Sequence, residues 1–170
     1  MNDPGTVVVM GVSASGKTTI SNQLGAALDC HVLDADDLHP AANVEKMRAG
    51  IPLNDADRAP WLQKVADWIA EQRASQHRVV VSCSALKRRY RDVLRQADPD
   101  MVFVWLDVDR PTLEKRIGHR AGHFMPASLL DDQLATLEPP APDERAVRVV
   151  PKGAVEDTIA QIIAQLRTLD

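Results

Sequence analysis

The chain has 170 residues, a size typical of one domain with its own core. Apolar residues make up 45% of it, which excludes an intrinsically disordered chain. A net charge of −4 without any run of lysine or arginine disfavours nucleic acid as a partner. The sequence shows neither the apolar window of a membrane span nor the basic start of a secretory signal, and its two cysteines form no metal-type pair. We therefore expect a single domain, residues 1–170, in the reducing cytoplasm.

The first chemical motif follows a short apolar run at residues 6–10. Residues 11–18 read Gly-Val-Ser-Ala-Ser-Gly-Lys-Thr and match the phosphate-loop pattern G-x-x-x-x-G-K-[ST]. In such a loop the backbone N–H groups and the following helix face nucleotide phosphates, the lysine reaches the β- and γ-phosphates, and the hydroxyl residue holds Mg²⁺. The alternative is a glycine-rich turn with a surface lysine. We assign nucleotide contacts to Gly11, Ser13, Ala14, Ser15, Gly16, Lys17, Thr18 and Thr19, and a metal contact to Thr18.

Strands and helices are predicted to alternate along the chain. Apolar runs with little alternation predict five strands, covered on both faces, at 6–10, 31–33, 78–82, 101–106 and 146–150. Helical patterns between them indicate a mainly parallel sheet with helices on both faces. One helix is expected over about Ala56 to Ala74, with Trp61 in its core-facing stripe rather than in a sugar platform. Between the fourth and fifth strands, residues of about 116–137 stand where nucleotide kinases carry a lid.

A group of acids follows the second predicted strand. Asp34 and Asp36 would lie at the carboxyl edge of the sheet, where ligands of parallel sheets gather, and would share a face if the strand geometry continues. Phosphoryl transfer needs a held metal ion and a group that orients the attacking hydroxyl. We assign Asp34 to the metal, through water, and Asp36 to the substrate hydroxyl. The alternative is that these acids cap the next helix. His39 either donates to a polar substrate or is a turn residue before Pro40.

A longer pattern surrounds these acids. Residues 34–62 read D-x-D-x-L-H-P-x-x-N-x-x-K-M-x-x-G-x-P-L-N-D-x-D-R-x-P-W-L, followed by Cys-Ser-Ala-Leu-Lys at 83–87, Tyr-Arg-Asp at 90–92 and Gly-His-Phe at 122–124. From residue 7 to about 150 the chain resembles the small gluconate kinases of the P-loop type. The resemblance implies transfer of the ATP γ-phosphate to the 6-hydroxyl of D-gluconate, a fold like that of shikimate and adenylate kinases, and a homodimer. One departure is Ala14, where many members carry glycine. Alanine fits if its dihedrals are ordinary, and we expect no effect on activity.

A sugar acid needs a planar cation for its carboxylate and polar groups for its hydroxyls. Arg58, just ahead of the predicted helix, is our choice for a direct contact; the alternative is a surface arginine paired with Asp55 or Asp57. Lys87 and Arg91 lie four residues apart and either bind the carboxylate together or are solvated charges. The candidate substrate residues are Asp36, His39, Arg58, Ser84, Lys87, Arg91, His123 and Gln133.

The expected lid carries two arginines, Arg116 and Arg120. Closing over the β- and γ-phosphates, they would stabilise transition-state charge and exclude water, and Arg120 would join Lys17 and Asp36 as a catalytic group. The alternative is a solvated pair that bonds with Glu114 or Asp109.

Two rival functions stay open at this point. One is a P-loop kinase for another acceptor, such as shikimate or a nucleoside monophosphate; Leu-His-Pro after the acids and Ser-Ala-Leu-Lys after the third strand argue against it. The other is a nucleotide-dependent switch. A GTPase would need a guanine-binding Asn-Lys-x-Asp element, which the sequence lacks.

Overall fold

A computed structural model of the chain describes residues 3–118 and 128–169. Five parallel strands form one sheet in this part of the chain: β1 (Thr6–Met10), β2 (His31–Asp34), β3 (Val79–Ser82), β4 (Val102–Leu106) and β5 (Ala146–Val149), in the spatial order β2-β3-β1-β4-β5. The helices are α1 (Lys17–Leu28), a 3₁₀ helix (Ala35–Leu38), α2 (Ala41–Arg48), α3 (Asp55–Ala74), α4 (Arg88–Arg95), α5 (Arg110–Gly118), α6 (Ser128–Thr136) and α7 (Val155–Leu166). None of these helices is both long and apolar enough to cross a bilayer.

The predicted five-stranded parallel sheet is confirmed, with strand ends that differ by one residue at most from the predicted ones. All residues of β1 are buried, as expected for a central strand of β-branched residues. Val8 and Met10 pack on the face that holds α3, whereas Val7 and Val9 pack on the face that holds α1 and α7. Successive side chains of a strand point to opposite faces of the sheet, so alternate residues of β1 pack against the two different helical layers.

The start of α3 is fixed by a capping box. Asn54 Oδ1 accepts a hydrogen bond from the Asp57 backbone N–H at 2.7 Å, and Asp57 Oδ2 accepts one from the Asn54 N–H at 3.0 Å. The helix therefore begins at Asp55, one residue before the predicted Ala56. Arg58 lies inside its first turn and not ahead of the helix, as the sequence had suggested.

A buried ion pair joins α4 to the segment before β5. The Arg91 guanidinium donates to both carboxylate oxygens of Glu144, at 2.7 and 3.0 Å, and both side chains are fully buried. Arg95 donates to the same carboxylate, and the Ala141 N–H adds a bond of 2.8 Å. Burial alone would raise the pKa of Glu144, but the hydrogen bonds from Arg91, Arg95 and Ala141 outweigh it and hold the pKa at about 2, below the ordinary 4.5.

Glu144→Gln is expected to destabilise the fold by about 3–5 kcal/mol, because it leaves two arginines beside a neutral group in the interior. Because the folded pKa is depressed, the carboxylate stabilises the protein above about pH 4.5, and this contribution is lost as the pH falls toward about 2. Urea unfolding across this pH range measures both effects. Glu156→Gln, at an exposed site on α7, should stay within about 0.5 kcal/mol of the parent. Equal stability of the two variants would contradict the role of Glu144.

Candidate active site

One cavity of about 290 Å³ lies at the carboxyl edge of the sheet. It is lined by the phosphate loop, by the acids after β2, and by polar and apolar side chains of α2, α3, α6 and the segments before α3 and after β3. The predicted residues in its wall are Ser13, Ala14, Gly16, Lys17, Thr18, Thr19, Asp34, Asp36, His39, Arg58, Ser84 and Gln133. The sequence prediction that the loop and the acid pair meet is therefore matched by the geometry.

The loop itself turns sharply between β1 and α1. Gly16 has φ = 96°, a left-handed conformation that favours glycine, and α1 begins at the next residue. Gly11 and Ser15 are not in the cavity wall. Gly11 donates its N–H to the Ser84 carbonyl at 3.3 Å, and a Cβ there would lie 2.9 Å from Ser15 Oγ. These two residues therefore pack against each other, and their predicted nucleotide contacts remain predictions.

Ala14 corrects an expectation about the loop. Its φ is 67°, in the left-handed region, so its dihedrals are not the ordinary ones that an alanine prefers. The Ala14 carbonyl accepts a hydrogen bond from Arg116 Nη1 at 2.9 Å. This bond places the Arg116 guanidinium on the phosphate loop, where the sequence predicted a nucleotide contact.

Ala14→Gly should change stability by less than about 1 kcal/mol. Removing the strain of an alanine in the left-handed region raises the free energy of unfolding by roughly 1–2 kcal/mol. Loss of the buried methyl group lowers it by about 0.8 kcal/mol, and the greater freedom of the unfolded chain lowers it by about 0.4–1 kcal/mol. Ala66→Gly is a matched control, because Ala66 is also buried but lies in regular helix α3. It should cost about 2 kcal/mol. Denaturant unfolding of both variants measures the difference, and equal losses would contradict strain at Ala14.

Thr18 and Asp34 form the candidate metal site. Thr18 Oγ1 donates to Asp34 Oδ2 at 3.2 Å, and Asp34 Oδ1 accepts from the Asp36 N–H at 3.0 Å. Asp34 thus caps the 3₁₀ helix, which was the alternative for these acids, and the strand geometry does not continue to Asp36. Both acids nevertheless line the cavity.

A hydroxyl and a carboxylate oxygen are ligands that fit Mg²⁺, which usually takes one or two protein oxygens and completes its shell with phosphates and water. Within residues 3–118 and 128–169 no cluster of three or more His, Cys, Asp or Glu could hold a metal by itself. The donor set of Thr18 and Asp34 therefore fits Mg²⁺ bound together with a nucleotide.

Arg58 is oriented by a chain of hydrogen bonds. Its side chain is largely buried but lines the cavity, and Nη1 donates to the Tyr90 hydroxyl at 3.0 Å. Tyr90 donates to Asp55 Oδ1, and Lys87 Nζ reaches the same oxygen at 3.2 Å. The hydrogen bonds from Tyr90 and then Lys87 lower the pKa of Asp55. Arg58 is thus a fixed cation in the cavity wall and not a surface arginine paired with Asp55 or Asp57.

Two predicted carboxylate ligands lie elsewhere. Arg91 is fully buried and donates to Glu144 and to the Ala85 carbonyl, at 2.8 Å, so it has no surface with which to bind a substrate. The prediction for Arg91 is wrong; this side chain fixes the segment that carries Ser84 into the cavity. Lys87 pairs with Asp55 and is not in the cavity wall, so the structure does not place it as a direct ligand either.

Of the four remaining predicted residues, Gln133 and His39 lie in the described part of the chain and Arg120 and His123 do not. Gln133 of α6 accepts a hydrogen bond from the Ser13 N–H at 2.6 Å, which attaches the second helix of the expected lid to the phosphate loop. His39 stacks on Trp61 with ring centroids 4.1 Å apart. Arg120 and His123 lie outside the described residues.

Sequence reasoning missed much of the cavity wall. The additional lining residues are Asp37, Met47, Pro52, Leu53, Trp61, Leu86, Leu129 and Asp132. Trp61 belongs to the core, as predicted, yet its ring also lines the cavity. The Gly-x-Pro-Leu segment at 50–53 was the available signal, because it stands between the acids and α3 without helical periodicity.

This chain combines a parallel sheet covered by helices, a phosphate loop after the central strand, and an acid pair in the same cavity as the loop. These features together are those of the P-loop kinases. A family model described as "AAA domain" matches residues 7–140. A gluconokinase from Gluconobacter oxydans (strain 621H) is 48% identical over 98% of this chain and 94% of its own length.

Two solved structures of kinases are also similar to this chain, in fold and in sequence. A gluconokinase from Sinorhizobium meliloti 1021 has 43% identity, covers 98% of this chain and 94% of its own, and superposes with a TM-score of 0.88. A sugar kinase from Janibacter sp. HTCC2649, in an unliganded structure, has 42% identity, covers 95% of this chain and 94% of its own, and has a TM-score of 0.91. The chain belongs to the gluconokinase family.

Proposed function

We propose that the protein is a gluconokinase, which transfers the γ-phosphate of ATP to the 6-hydroxyl of D-gluconate and releases 6-phospho-D-gluconate and ADP. The observation that carries this proposal is that the phosphate loop, the acids Asp34 and Asp36, and the cation Arg58 line the same cavity. An ATP-dependent kinase needs a phosphate loop to bind ATP and an acid to orient the attacking hydroxyl. A substrate that is a sugar acid needs a cation, such as Arg58, for its carboxylate. Relatives named gluconokinase favour this acceptor over shikimate.

The nucleotide half of the site is assigned to the loop and the lid. Lys17 Nζ donates to the Val12 carbonyl at 2.9 Å, which holds the ammonium over the loop where β- and γ-phosphates would lie. Arg116, bonded to Ala14, brings a second cation to the same place. Thr18 and Asp34 would hold Mg²⁺, which supplies neutralisation of phosphate charge when bound. We place the lid at about 116–137, with Arg120 and His123 as further proposed contacts.

The acceptor half is assigned to Asp36 and Arg58. The Asp36 side chain is 54% exposed at the cavity, so its carboxylate can accept the hydrogen bond of the attacking hydroxyl and take its proton. Arg58 would bind the gluconate carboxylate, and Tyr90 keeps its guanidinium in one orientation. Ser84 and Gln133 would contact hydroxyls at the edge of the cavity. We further propose a homodimer, as the family resemblance implies, and a place in the cytoplasm, as expected from the composition of the sequence.

Arg58→Ala should raise the KM for gluconate about tenfold or more, because it removes a charge-assisted hydrogen bond to the substrate. The KM for ATP should change little. Arg48→Ala, at an exposed position near the end of α2, is the matched control and should leave both constants unchanged. A change confined to the KM for ATP would assign Arg58 to the nucleotide half instead.

The function is tested by measuring ADP release with ATP and Mg²⁺ in the presence of single acceptors. Gluconate should give acceptor-dependent release, while shikimate and AMP should give far less. Release that is equal without any acceptor would indicate an ATPase. Release that is fastest with shikimate or AMP would indicate the rival kinase.

A further inference from the structure

The ring of His39 has one fixed orientation in the cavity wall. It stacks on the Trp61 indole with planes inclined by 17° and centroids 4.1 Å apart. Trp61 is itself held, because its Nε1–H donates to the Ala35 carbonyl at 2.7 Å. The His39 side chain is only 4% exposed, although it lines the cavity. The stack fixes the plane of the ring, and the contact of Nδ1 with Asn43 Nδ2 at 3.2 Å fixes which edge faces Asn43, because a 180° turn would put Cδ2 in that place.

Asn43 determines which of these nitrogens carries the proton. Asn43 Nδ2 lies 3.0 Å from the Asp57 backbone carbonyl, which can only accept, so this atom is the amide nitrogen and not the oxygen. The same Nδ2 lies 3.2 Å from His39 Nδ1. An amide N–H donates and does not accept, so Nδ1 must be the unprotonated acceptor. In the neutral ring the proton is therefore on Nε2.

The protonated nitrogen faces Asp36. His39 Nε2 lies 3.8 Å from Asp36 Oδ1, which is too far for a direct hydrogen bond. An oxygen placed between them at about 2.8 Å from each atom would satisfy both. A hydroxyl suits this place, because its oxygen accepts from Nε2–H while its hydrogen is donated to the carboxylate.

The ring stays neutral in this environment. Burial, followed by the nearby Arg58 cation, lowers the pKa of His39 to about 4. A neutral ring with a single N–H offers one donor and no charge, which matches a hydroxyl better than a carboxylate.

We infer that His39 and Asp36 together bind one of the non-reacting hydroxyls of the acceptor, beside the 6-hydroxyl that Asp36 activates, and that Asn43 is a positioning residue that fixes the His39 tautomer for this contact. This inference rests on the proposed gluconokinase function and deepens it, because it names a hydroxyl-specific contact in the acceptor site. His39 then contributes to selection among polyhydroxy acids, separately from the carboxylate contact of Arg58.

The contact is tested with His39→Phe, which keeps a ring to stack on Trp61 but removes the donor, and with His39→Gln, which keeps an N–H of similar reach. His39→Phe should lower kcat/KM for gluconate about tenfold, and His39→Gln should restore most of the loss. With gluconates deoxygenated singly at C2, C3, C4 or C5, which all keep the reacting 6-hydroxyl, one analogue should show the same kcat/KM for His39→Phe and parent, because it lacks the bound hydroxyl. His77→Phe, at an exposed histidine, is the control. An unchanged His39→Phe enzyme, or an equal loss for every analogue, would overturn the contact.

The tautomer is tested directly by ¹⁵N NMR of the parent protein at pH 7, which requires neither a variant nor turnover. His39 should show a proton on Nε2 and none on Nδ1, and Asn43→Asp, which replaces the donor by an acceptor, should move the proton to Nδ1 and lower kcat/KM about tenfold. A charged ring or an Nδ1–H tautomer in the parent would overturn the inference. If the parent shows the Nε2–H form but does not phosphorylate gluconate, the proposed function fails, and this assignment of the acceptor hydroxyl fails with it while the tautomer itself stands.

Discussion

Lys17→Ala is expected to lower kcat about 10²–10³-fold, the loss that follows removal of one preorganised group from developing transition-state charge. Lys17 lines the cavity beside Thr18, and its ammonium is held by the Val12 carbonyl at 2.9 Å. In this position it would neutralise charge on the β,γ-bridging region as the phosphoryl group leaves. Steady-state kinetics with saturating gluconate and ATP measure the effect.

Lys64→Ala is the matched control for this variant. Lys64 is exposed on α3 and is not in the cavity wall, so its loss should leave kcat unchanged. Thermal unfolding of both variants shows whether the fold is retained. A folded Lys17→Ala protein with near-normal turnover would remove the phosphate loop from the reaction.

Asp36→Asn is expected to lower kcat about 10²–10⁴-fold, the contribution of a positioned general base. The amide keeps the size of the side chain but cannot take the proton of the attacking hydroxyl. ATP affinity should be nearly unchanged, because the proposed metal contacts are those of Thr18 and Asp34, which bond to each other. Single-turnover measurement of phosphate transfer, together with ATP binding by titration calorimetry, separates the two effects.

Asp67→Asn serves as the control, since Asp67 is an exposed acid of α3. It should reproduce the parent rate. Loss of ATP binding in Asp36→Asn would assign Asp36 to the metal site, and an unchanged transfer rate would remove it from the base role.

The sheet could be predicted from the sequence because the residues that specify each strand are neighbours in the chain. The β-branched run of β1 fills a central strand whatever surrounds it, and the phosphate loop is a contiguous pattern that turns the chain into α1. The position of Asp34 and Asp36 followed from the rule that parallel strands bring their carboxyl ends to one edge. These features required no knowledge of distant contacts.

Arg91 shows where local patterns fail. Its spacing from Lys87 suggested a pair of ligands, but Glu144, 53 residues away in the chain, holds it in the interior. Arg58 likewise depends on Tyr90, which is 32 residues away. A sequence window contains neither partner, so it does not distinguish a buried structural arginine from a ligand-binding one.

Ala14 and the acids after β2 show a second kind of failure, in the backbone. The left-handed φ of Ala14 is imposed by the loop and contradicts the preference of alanine. The 3₁₀ helix Ala35–Leu38 replaced the extended geometry expected there, because Asp34 caps it through the Asp36 N–H. At Ala14 the loop overrides local propensity, whereas Asp34 follows the capping preference that was the alternative for these acids.

We propose that the phosphate loop, the acids and Arg58 act on one ATP and one gluconate in the same cavity. A crystal structure with gluconate, Mg²⁺ and a non-hydrolysable ATP analogue tests it most directly. We expect the gluconate 6-hydroxyl within hydrogen-bond distance of the Asp36 carboxylate and in line with the γ-phosphate, with the gluconate carboxylate on Arg58. Gluconate bound outside this cavity, or with its 6-hydroxyl turned away from Asp36, would contradict it.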